Sequence, residues 1–184
     1  TVLTGVNPLD RQPPPTLTAT LTITADLAGG ALPTPVCTPV SIAPKDWSRP
    51  LDPDLDELGI TIQPACVATG GLYYRLIEAE WLDETESQGL HHVYVDVLDE
   101  EANRLLGQTI TTSWTTGSCV REIEPKPPPE YGANCPLFAA GHTYRVSVND
   151  LPSDIVQNVG LGSITERERP ILTSYKLKFQ RATR

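Results

Sequence analysis

The 184-residue chain has no methionine and only two phenylalanines, and no apolar run approaches the ~20 residues of a membrane-spanning helix. No membrane-spanning helix is therefore expected. Positive charge is also scarce: 14 Lys and Arg stand against 23 Asp and Glu, a net charge of −9. A duplex nucleic-acid binder needs a basic face that displaces counterions, so no nucleic-acid partner is expected. The four cysteines form no CxxC pair, which argues against zinc ribbons and thioredoxin-like chemistry. HExxH, GxSxG and phosphate-loop patterns are missing, as is any N-x-[ST] sequon. No catalytic residue, metal or cofactor is predicted. With no Met, Thr1 is expected to be a processed terminus or a boundary, and a removed export signal would explain it.

Proline is plentiful, and 11 of the 18 fall within residues 1–71. An even cysteine count in an acidic, Pro/Thr-rich chain favours disulfides and an extracellular or cell-surface location. Three pairings of Cys37, Cys66, Cys119 and Cys135 are available. The preferred one, Cys37–Cys66 with Cys119–Cys135, closes two loops that each contain a Pro-rich segment. Each closure would contribute roughly 3 kcal/mol by constraining the unfolded chain. Any sugar on the protein would be O-linked, on the Thr/Pro-rich N-terminal part.

Helix-period patterning is missing too, and apolar residues alternate with period two, the mark of half-buried strands. Tyr73, Ile77, Ala79 and Trp81 are expected on one face, opposite Tyr74, Glu78 and Glu80. Val93, Val95 and Val97 should face in, with His92, Tyr94 and Asp96 out. Ile110/Thr112/Trp114, Tyr144/Val146/Val148 and Ile171 through Phe179 alternate likewise, and residues 72–184 are expected to supply about six strands. Turn residues separate them, and the set predicts an all-β antiparallel sandwich over residues 72–184. The segment 124–136 carries too much proline for a central strand.

Two stretches resemble a known family. Val95-Asp96-Val97-Leu98-Asp99 with Leu106-Gly107 and Ile110 resembles the V-x-V-x-D hairpin of bacterial surface immunoglobulin-like domains. Gly141-His142-Thr143-Tyr144-Arg145-Val146-Ser147-Val148 is similar to their late G-x-Y-x-V-x-V strand. The resemblance implies an immunoglobulin-like sandwich without fixing a function, because such modules serve adhesins, hydrolases and filaments alike. This chain departs from the pattern at Glu100-Glu101-Ala102, where a Gly is usual, so a longer hairpin is expected.

Residues 1–30 read as an extension and 31–71 as a Pro-rich connector with associated strands. Within the extension Leu17, Ala19, Leu21, Ile23, Ala25 and Leu27 share one face and a row of threonines the other. Twelve alternating residues make a strand of roughly 40 Å. Such a strand invites addition to a sheet. It folds back as the first strand of its own sandwich, completes a neighbouring copy's sheet head to tail, or makes an edge contact within a larger parent protein. The estimate of six strands, one short of seven, speaks for donation. The arrangement resembles donor-strand subunits of extracellular filaments, which implies a homopolymer.

Other chemistry fits less well. Asp52-Pro53-Asp54-Leu55-Asp56-Glu57 lacks the Gly and the terminal Glu of an EF-hand loop. His91 and His92 are neighbours on a strand and should point to opposite faces. The rival function is carbohydrate binding or an accessory role in a secreted protein, with Trp47, Tyr74 and Tyr94 as candidate glycan contacts.

Overall fold

A computed structural model describes residues 51–184, all within one compact unit. The segment expected to donate a strand, Cys37 and Trp47 lie outside the described residues. Chain order is α1 (Asp54–Glu57), β1 (Thr61–Gln63), β2 (Leu72–Leu82), α2 (Glu84–Ser87), β3 (His92–Leu98) and β4 (Thr109–Trp114). There follow β5 (Gly117–Glu122), β6 (Ala133–Pro136), β7 (Tyr144–Val148), β8 (Ile155–Val159) and β9 (Ser174–Thr183). They form two sheets, β1-β8-β7-β4-β5 and β2-β9-β3-β6. The protein is an all-β sandwich. Among the described strands the pairings are antiparallel except for β3 and β9, which run parallel.

The inward faces follow the alternation. Val93, Val95 and Val97 are fully buried, as are Tyr175, Leu177 and Phe179 of β9. From the other sheet Ile62, Ile110, Val146, Val148 and Val156 meet them in a single core. Residues before position 72 belong to this core: Leu55, Leu58 and Ile60 are buried in it and β1 pairs with β8. The described residues thus hold nine strands, eight of them within 72–184. The six-strand estimate was low because β5, β6 and β8 carry too few apolar residues to show the alternation. With nine described strands the sandwich is not short of the seven that a donated strand was expected to complete.

In β2 the expected facing is inverted over its first half. Tyr74 and Leu76 are buried, and so are Ala79 and Trp81, which fixed alternation would put on the opposite face. The register explains this: Leu76 pairs with Phe179 and Glu78 with Lys178, leaving Ile77 as an extra residue. A one-residue bulge reverses the side-chain phase. Tyr74 therefore points inward, and Glu78 and Glu80 point outward. Trp114, expected in the core, is half-buried at its margin with its ring edge-on to Tyr144.

Local polar contacts fix the connections. The buried Asp154 carboxylate accepts from the backbone N–H of Ala65 (2.9 Å) and of Leu76 (3.0 Å), tying three segments together. Asp52, read as part of an acidic run, accepts from Asp54 N–H and Trp81 N–H. Asp83 and Glu86 close a capping box around α2. The hairpin expected after β3 is not formed, because β3 and β4 belong to different sheets; in the connection that crosses between them Asp99 accepts from Glu101 N–H and Asn103 N–H while Ala102 takes φ 67°.

The Cys119–Cys135 disulfide is present, with Cα atoms 6.1 Å apart. It joins the edge strands β5 and β6 of opposite sheets and closes the loop that carries the proline run. Cys66 is also disulfide-bonded.

Candidate ligand-binding groove

The outer face of the second sheet forms the floor of an open groove of about 1250 Å³. Strand register lays its residues out in two rows. Glu80 pairs with Lys176, which lies beside Tyr94, which pairs with Asn134. In the next row Glu78 pairs with Lys178, which lies beside Asp96. Both glutamates lie on this side, opposite the buried Ala79 and Trp81, as the alternation of the second half of β2 requires. The β2 bulge lets Tyr74 and Leu76 face the core on the same strand whose second half buries Ala79 and Trp81.

The far wall is the proline-rich segment from Pro125 to Tyr131. Proline has no N–H to give to a sheet, so such a segment needs another anchor. Arg104 supplies it. Its guanidinium meets the Asp96 carboxylate at 2.8 Å, donates to Glu130 O at 2.5 Å and also donates to Lys126 O. The other Asp96 oxygen accepts from Gly132 N–H at 2.7 Å. Asp96 was expected on an outward face and does point that way, yet the wall covers it to 7% exposure. Gly132 makes this closeness feasible, because a Cβ there would meet the Ile123 side chain at 2.6 Å and Asp96 at 3.1 Å.

Tyr131, at the end of the proline run, completes the wall. Its hydroxyl donates to one Glu78 oxygen at 3.1 Å, and Lys178 takes the other at 2.7 Å. Lys178 also lies 6.0 Å from the Tyr131 ring centroid, at the outer limit of a cation–π contact. Burial, then the Glu78 charge and hydrogen bond, push the Tyr131 phenol far above its usual pKa. It stays protonated and acts as a donor. Lys176 is held by Glu80 at 3.0 Å. The lysines of the floor are thus committed to carboxylates, and the groove presents paired charges rather than a field of one sign.

Of the candidate glycan contacts, Tyr94 lines this groove, half-buried, with its ring 6.4 Å from that of Tyr131. Tyr74 does not: it is 2% exposed, and its hydroxyl donates to Gln108 at 2.7 Å. The bulge put it inside. Tyr131 and Arg104 escaped the sequence reading, though a tyrosine directly after Pro127-Pro128-Pro129-Glu130 was an available signal. Among the described residues no cluster of His, Cys, Asp or Glu is arranged to hold a metal ion, and no helix is long and apolar enough to cross a membrane.

Beyond Tyr94 on the same strand face stands His92, and the His91 ring is turned toward it at 5.3 Å rather than away. Burial, followed by the neighbouring His91 charge, lowers the His92 pKa. No protein-family model, curated protein or solved structure matches the chain.

A lowered folded pKa means that the unfolded chain binds the His92 proton first. Stability should fall as pH drops through the unfolded value of about 6.5 toward the lower folded one. The thermal midpoint of the wild type should decline between pH 7.5 and 5 more steeply than that of His92→Gln; equal slopes would remove His92 as the cause.

Proposed function

We propose that this protein is a secreted, immunoglobulin-like β-sandwich module that binds a neutral carbohydrate in the groove between the second sheet and the proline-rich wall. The observation that carries this reading is the pair of half-buried tyrosines, Tyr94 and Tyr131, set among paired charges. A sugar ring offers an apolar face that stacks on an aromatic ring and an edge of hydroxyls that seeks donors and acceptors. Glu80, Asn134 and Lys176 lie beside Tyr94 to meet those hydroxyls. Because the groove lysines already have carboxylate partners, an anionic ligand gains little there. Export is supported by the disulfides, which persist in oxidising compartments.

Binding to a printed array of neutral oligosaccharides tests this. The wild type should bind, and Tyr131→Ala and Tyr94→Ala should each weaken the best ligand about tenfold, the worth of one stacked ring. Absence of binding to any neutral glycan, or unchanged binding by both variants, would refute it.

A second reading, an extracellular filament in which Leu17, Leu21, Ile23 and Leu27 enter a neighbouring copy, is favoured by the strict alternation of residues 16–27. It predicts filaments of the full chain by negative-stain microscopy and their loss when residues 1–27 are deleted. A full chain that stays monomeric at high concentration contradicts it.

A further inference from the structure

The two groove tyrosines belong to a longer row. From Tyr131 the ring centroids step 6.4 Å to Tyr94, 5.6 Å to His92, 5.3 Å to His91 and 5.7 Å to Phe138. Tyr94 and His92 are two residues apart on the same face of β3, while Tyr131, His91 and Phe138 come from loops at its two ends. The row leaves the groove, since Phe138 does not line it.

Phe138 is 75% exposed, the most exposed large apolar side chain among the described residues, and Leu90, next to His91, is 50% exposed. Phe138 and Leu90 together leave apolar surface open to a ligand at the end of the ring row. At the opposite end Leu106, 56% exposed, lines the groove.

We infer that this row is a track for an extended, unbranched neutral glycan, with its end in the groove at Tyr131 and further sugar residues lying over the histidines to Phe138. The inference rests on the carbohydrate reading of the groove and adds the form of the ligand. Two features select a glycan over a proline-rich peptide. The ring-to-ring steps are close to the repeat of one sugar along an extended chain. The groups beside Tyr94 are Glu80, Lys176 and Asn134, a mixed set of acceptors and donors matched to neighbouring hydroxyls rather than to a line of peptide carbonyls.

Calorimetric titration of the full chain with β-1,4-linked glucose and N-acetylglucosamine oligomers, from two to six residues, tests the track. Affinity should rise with each added residue. Phe138→Ala should cost the longest oligomer about fivefold or more and flatten the length dependence, while Val120→Ala, exposed on β5, leaves every affinity unchanged. Because Phe138 is exposed, its loss should not disturb folding. If the disaccharide binds as tightly as the hexamer and Phe138→Ala changes nothing, the track is wrong and the groove reading survives. If no oligomer binds, the groove reading falls and the track with it. Binding of a proline-rich peptide in place of every sugar overturns the glycan as occupant.

Discussion

The ion pair between Asp96 and Arg104 holds together the two halves of the groove. A segment with prolines at 125, 127, 128 and 129 cannot join a sheet by its own backbone, yet it lies against the outer face of one. Arg104 replaces the missing ladder with one charged group bonded to a strand side chain and to two carbonyls of the wall. Charge-assisted bonds of this kind contribute about 1.5–3 kcal/mol each, and removing one partner of a buried pair costs about 3–5 kcal/mol. The Cys119–Cys135 bridge closes the same loop covalently. The position of Tyr131, and so the shape of the groove, follows from both.

A second constraint decides which chemistry reaches the groove. One extra residue, Ile77, reverses the phase of β2, so that Tyr74 and Leu76 enter the core while Glu78 and Glu80 stay on the outer face opposite Ala79 and Trp81. Those glutamates then neutralise Lys178 and Lys176, and Glu78 also accepts from Tyr131. Despite a net charge of −9 over the chain, the groove floor is close to balanced. That balance separates this face from a site for anions or cations.

Much of the sandwich was legible in the sequence, because Val93, Val95, Val97, Tyr144, Val146 and Val148 alternate and do face the core. Strand β8 was not, since Gln157 and Asn158 interrupt its apolar run, and β5 was not, since it is an edge strand exposed on both faces. Bulges are invisible to a period-two count, which is why Tyr74 was expected outside. The Cys119–Cys135 disulfide is one of the two in the pairing preferred for the Pro-rich loops it closes. Tyr131 and Arg104 could not be placed, because what joins them to Glu78 and Asp96 is tertiary: the wall must fold back over the sheet before they meet.

The most direct test of this account is amide hydrogen exchange at Gly132 in the wild type and in Arg104→Gln. Gly132 N–H is bonded to Asp96, whose other oxygen is held by Arg104. If the ion pair pins the wall, this amide is protected in the wild type and exchanges about tenfold faster or more in the variant, while Val95 in β3 keeps its protection. Unchanged exchange at Gly132 in Arg104→Gln would contradict the account, because the wall would then be held by something other than this pair.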